Sequence, residues 1–174
     1  DHRDLHLSIR RQRQMCIRDS LKYSEEIIKN TKSNTVDFLT ALTKNIHADF
    51  TVEYREVGSP FEPDKTFELK KGSCRDIAWM QIQLLRQIGI AARFVSGYFF
   101  IPDEKNEPEL HGWLEAYLPG AGWIGLDPSH GILTGNAHIP VASSSNFEYT
   151  MPVTGKIRGS ASSVLSTKVN IILI

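Results

Sequence analysis

Pro119-Gly120-Ala121-Gly122 lies between two runs that alternate apolar and polar residues, and this stretch constrains the fold more than any other. Alternation over His111–Leu118 and Trp123–Leu126 has the period of a half-buried strand. A short Pro/Gly-rich loop between two such runs closes an antiparallel hairpin. The alternation places His111, Trp113, Glu115 and Tyr117 on one face and Leu114, Ala116 and Leu118 on the other. On the return strand Ile124 and Leu126 match the apolar face, while Trp123, Gly125 and Asp127 share the face of His111. A register centred on the turn sets Leu114 opposite Asp127. Twist, a bulge or a diagonal contact is then needed to bring His111 and Asp127 together.

Upstream the period changes to that of a helix. Val36, Leu39, Leu42 and Ile46 recur at helical spacing, with Asn34 or Thr35 as cap. Phe50–Arg55 reads as a short strand, and Gly58 through Asp64 as a loop. A second helix begins near Ser73, carries Ile77, Met80, Gln81, Leu84, Leu85 and Ile88 on one face, and stops at Gly89. A strand from Phe94 to Ile101 follows, then a charged loop over 102–110 with two prolines. Further strand candidates are Ile139–Ala142 and Lys168–Ile174. The order predicts an α+β fold, N-terminal helices packed on an antiparallel sheet. A length of 174 residues suits one domain with a real core. Residues 1–20 do not match the rest. The run from Arg10 to Asp19 is basic and aperiodic and resembles translated sequencing-adapter read-through. It is set aside as a non-native or disordered segment, with the catalytic domain over 21–174.

Chemistry concentrates at Cys74. Gly72-Ser73-Cys74-Arg75-Asp76 sets a thiol in the first turn of an amphipathic helix, where unpaired N–H groups and the helix dipole stabilise a thiolate. Arg75 adds positive charge, and Asp76 opposes it. Alone, a cysteine at a helix start is more often an inert apolar residue, His111 a surface histidine and Asp127 a turn-former before Pro128. The three in this order are a far rarer coincidence. A carboxylate that orients an imidazole, which in turn takes a thiol proton, is the arrangement of nucleophilic catalysis.

The same residues carry a family resemblance. Gly72-Ser73-Cys74-Arg75-Asp76, Leu84 through Tyr98, and His111-Gly112-Trp113 through Trp123-Ile124-Gly125-Leu126-Asp127-Pro128 resemble the bacterial transglutaminase-like family. The likeness continues through His138-Ile139-Pro140 and Pro152-Val153-Thr154-Gly155. The resemblance implies a papain-like fold, with the thiol on the central helix and His111 and Asp127 on adjacent strands. It implies amide-bond chemistry through a thioester: transamidation, deamidation or hydrolysis of a protein, peptide or small amide. The alternative is a catalytically silent binding module that keeps the groove. The sequence departs from the family in three places. The usual β-rich N-terminal region does not precede Thr35, the segment from Tyr98 to His111 is short and acidic, and His130 stands where relatives often have a small or amide residue.

Other residues carry weaker signals. An oxyanion hole would use the backbone N–H of Cys74 and a second donor, for which Tyr54 is the candidate, against its reading as a core aromatic. His47 suits the end of a helix, and His130 reads as a turn histidine. Trp113 and Trp123 fit either a groove wall or hairpin packing. No HExxH or paired CxxC is present, so no metal or cofactor is expected. Lys plus Arg and Asp plus Glu are equal at 20 each, which gives no electrostatic case for nucleic acid or an anionic membrane. No apolar run approaches the ~20 residues of a membrane helix. Two cysteines, Cys16 and Cys74, make no disulfide framework, and a free thiol points to the cytoplasm for a chain whose authentic N-terminus is taken to be missing.

Overall fold

The computed structural model describes residues 19–55, 58–100, 109–155, 158–159 and 168–171. Two helices lead: α1 over residues 19–30 and α2 at Thr35–Asp49. Asn34 caps α2 by accepting from the N–H groups of Val36 and Asp37. A two-residue strand, β1 (Thr51–Val52), follows, then the short helix α3 (Pro63–Leu69) and β2 (Lys71–Gly72), which pairs parallel to β1. The central helix α4 is Cys74–Gln87. The rest is sheet: β3 (Ala92–Phe99), β4 (Glu109–Leu118), β5 (Gly122–Asp127), β6 (Ile132–Leu133) and β7 (His138–Ser144), closed by a 3₁₀ turn at Phe147–Thr150. The five strands are antiparallel in the order β6-β5-β4-β3-β7.

The α+β expectation therefore describes the molecule. The core lies between α2, α4 and the apolar sheet face: Phe38, Leu39, Leu42 and Ile46 meet Ile77, Leu84, Leu85, Leu114 and Leu126. Sequence reading missed two helices. α1 contains Asp19 and the buried Ser20, just inside the segment that was set aside, and α3 was read as loop because Pro63 starts it. The strand expected over Phe50–Arg55 is only Thr51–Val52. The strand expected from Phe94 begins at Ala92, and β4 takes in Glu109 and Leu110 from the expected loop. Lys168–Ile171 forms no strand. The remainder of that candidate, the rest of the acidic loop and residues 1–18 with Cys16 lie outside the described residues.

Asp76 anchors the start of α4. Its carboxylate has no solvent exposure, and it accepts from the N–H and hydroxyl of Ser73 (2.7 and 2.6 Å), from the N–H of Phe61 (2.7 Å) and from the Arg55 guanidinium. The bond from the Ser73 N–H is the Asp76 half of a capping box, and those from Phe61 and Arg55 tie the chain before α3 to the same point. The negative charge that opposes a thiolate at Cys74 is thus met by a cation. Removing one partner of such a pair strands the other. We expect Asp76→Ala to lower the unfolding free energy in urea by about 3–5 kcal/mol; a loss under about 1 kcal/mol would show that the network does not anchor the helix.

Candidate active site

The hairpin loop holds three residues, not four. Leu118 pairs with Gly122 and Leu114 with Leu126, so one further step sets Asp127 across from Trp113. This register differs by one from a turn-centred one and puts Asp127 on the same face as His111, two residues away on the diagonal. His111 Nε2 donates to Asp127 Oδ2 at 2.8 Å. With Nε2 taken, Nδ1 is left for Cys74, whose thiol is hydrogen-bonded to His111. The three side chains singled out from the sequence meet at one place: the first turn of α4, the start of β4 and the end of β5.

The packing around them depends on one glycine. Gly97 faces His111 across β3 and β4. A Cβ at Gly97 would lie 2.1 Å from the carbonyl oxygen of Ile139 and 2.6 Å from the Trp113 ring, so no larger residue fits. The Trp113 ring fills that space between His111 (6.0 Å between centroids) and His138 (5.2 Å). Trp113 is thus core packing. Trp123 is partly exposed and packs on Tyr117 and Arg93.

Electrostatics follow from burial and pairing. Burial raises the Cys74 thiol, but the His111 hydrogen bond and charge, the Gly112 backbone N–H and Arg75 outweigh it, and the thiol titrates below its ordinary value. Burial lowers the His111 imidazole, but bonds to Asp127 and Cys74 win and raise it to about 10. Burial raises Asp127, yet three imidazole donors hold it well below the carboxylate range. Those donors are His111, His130 and His138, all bonded to Oδ2 at 2.8–2.9 Å.

Sequence reading missed His138 as a site residue and favoured a turn histidine at His130 over contact with the site. The available signal was three histidines within 28 positions around one aspartate. The donor atoms of His111, Asp127 and His130 lie within 4.8 Å of one another. Their shared bonds to Oδ2 account for that closeness. Tyr54 stands just beyond Glu53, whose N–H bonds Gly72, so its backbone runs beside the chain entering α4. Its side chain is 86% exposed, which excludes the core-aromatic reading. His47 ends α2, as expected, and its Nδ1 bonds the carbonyl of Ser129 at 2.9 Å.

A family profile described as the transglutaminase-like superfamily matches residues 21–128. The chain belongs to that superfamily. An uncharacterised Mycobacterium tuberculosis protein is 26% identical over 152 residues, which cover 81% of this chain and 48% of that protein. A protein-glutamine gamma-glutamyltransferase of Pseudomonas aeruginosa is 29% identical over 90 residues, 47% of this chain and 13% of that one. The chain therefore spans half or less of the length of these curated relatives. Among solved structures, a candidate cysteine protease of Cytophaga hutchinsonii superposes with a TM-score of 0.59 at 27% identity, covering 74% of this chain and 44% of that one. Legionella pneumophila LapG superposes at 0.57 with 15% identity, covering 78% and 83%, a likeness of fold alone.

The opposed shifts set a pH signature. His111, raised, contributes stability that is full below about pH 6.5 and is lost as pH rises to about 10. Cys74, lowered, contributes stability that is full above about pH 8.5 and is lost as pH falls. Between those values the two slopes oppose each other. We expect stability in the parent to begin to fall at a higher pH than in Cys74→Ala, where it falls from about pH 6.5 by roughly 1.4 kcal/mol per unit. Denaturant melts across pH 6–10 read this directly. Parallel profiles would contradict the pairing.

Proposed function

We propose that the chain is a cysteine-dependent acyltransferase or hydrolase acting on carboxamide or peptide bonds. The observation that carries the reading is the hydrogen-bonded chain from Cys74 through His111 to Asp127, with the thiol held below its ordinary value and the imidazole above its own. A thiolate beside an imidazolium is the form such chemistry requires.

Each step uses groups already in place. The Cys74 sulfur attacks the amide carbon and forms the S–C bond. The oxygen charge that develops is met by the N–H of Cys74 at the first turn of α4 and, in our reading, by the exposed Tyr54 phenol. The C–N bond breaks as His111 gives its proton to the leaving ammonia or amine. Water or a second amine then attacks the thioester, His111 takes the attacker's proton, and the S–C bond breaks to restore the thiolate. Asp127 fixes the imidazole tautomer and stabilises the imidazolium.

Transamidation, deamidation and hydrolysis differ only in which nucleophile resolves the thioester. The relatives include both a gamma-glutamyltransferase and a candidate protease. Among the described residues no helix is long and apolar enough to cross a membrane. The cytoplasm is our proposed compartment on thiol chemistry alone. A matched structure, TgpA of Pseudomonas aeruginosa, is a periplasmic domain.

The test uses an activated γ-glutamyl anilide with and without a primary amine, followed by intact mass. We expect an acyl adduct on Cys74 that water or the amine resolves, none in Cys74→Ala, and turnover reduced about a hundredfold or more in folded Asp127→Asn. Turnover retained in Cys74→Ala would overturn the mechanism.

A further inference from the structure

We propose that His130 is a positioning residue of this site, acting on His111 through the one carboxylate oxygen that both imidazoles share; the proposal rests on the cysteine-enzyme reading above. Asp127 Oδ2 accepts from His111 Nε2 at 2.8 Å, His130 Nδ1 at 2.8 Å and His138 Nε2 at 2.9 Å. Oδ1 accepts the N–H of Ser129 at 3.0 Å. Three donors on one oxygen compete for its charge, so each weakens the others' bonds.

The three imidazoles are not equivalent. His138 is buried, and its Nδ1 accepts the N–H of Gly135 (3.3 Å), which leaves Nε2 as the donor to Asp127. His111 carries the proton that the chemistry moves. His130 lies on the turn after β5 with its side chain 40% exposed, so it is the donor that solvent or substrate reaches. The turn is held rigidly. His47 on α2 bonds the carbonyl of Ser129, and Gly131 has φ +69° with no room for a Cβ against the His47 ring. Phe99 at the end of β3 stacks on the His130 ring at 4.3 Å and 24° and holds its plane toward Asp127.

Among the described residues, the charged groups around the cluster are few. Cys74 and Arg75 face it from α4, His47 from α2 and His138 from β7, and Glu115 further along β4 is paired with Arg93 at 2.6 Å. None of them replaces a donor lost from Oδ2. Without His130 the carboxylate's charge falls more fully on His111, and the imidazolium survives to higher pH. An asparagine at 130 keeps an N–H at the same bond separation from the backbone as Nδ1, without an imidazole.

Alkylation of Cys74 by iodoacetate across a pH series reads this without any substrate. An anionic reagent is steered by the imidazolium, so its rate falls as His111 loses its proton. We expect a bell-shaped profile in the parent. The alkaline limb should move up by about half a pH unit or more in His130→Ala and return to the parent position in His130→Asn. An unmoved or lowered limb in His130→Ala, whatever its thermal stability, would overturn the proposal. So would His130→Asn behaving as His130→Ala. A parent with no low-pH thiolate reactivity would instead remove the cysteine-enzyme reading itself.

Discussion

A carboxylate without solvent exposure, Asp127, is the point on which this structure turns. A buried, unpaired charge is far too costly to persist. Its cost is met by four N–H donors drawn from β4, β7 and the turn after β5. The sheet has to bring those elements to one oxygen, and the register of β4 with β5 and the bulge between β3 and β7 are what do so. The negative charge of the carboxylate raises His111, and the raised imidazolium then lowers Cys74. The polarity of the site thus runs from Asp127 to the thiol.

The helical layer supplies the other half. α4 presents Cys74 in its first turn because Ser73 and Asp76 close a capping box there, and Asp76 is neutralised by Arg55 rather than left to oppose the thiolate. Behind that turn the helix is apolar toward the sheet, and a buried bond from Gln81 to Thr43 (2.9 Å) fixes α4 against α2. α2 in turn reaches the turn after β5 through His47. Core packing and site geometry are therefore one network. A shift of α2 would move both the base of the core and the residues beside Asp127.

Much of this was legible in the sequence because it depends on local pattern. The 3.6 period of Ile77 to Ile88 and the alternation from His111 to Asp127 determine which residues share a face, and the faces place Cys74, His111 and Asp127. The register was out of reach by one residue, since a Pro-Gly-Ala-Gly loop closes as well with three residues as with four. α3 was hidden by its opening proline, and α1 by its junction with a segment of foreign composition. His138 was hidden for another reason. It reaches the site only because β7 pairs with β3 rather than with its neighbour in sequence, a long-range choice that no local pattern encodes.

The proposed chemistry rests on one physical claim: that pairing with His111 makes the Cys74 thiol more acidic than an ordinary thiol. The most direct measurement is the far-ultraviolet thiolate absorbance of the parent minus that of Cys74→Ala, followed across pH. The account predicts that the thiolate step lies below the ordinary thiol value of about 8.5 and moves up toward it in His111→Ala. A step at or above about 8.5 in the parent, unmoved by His111→Ala, would contradict it.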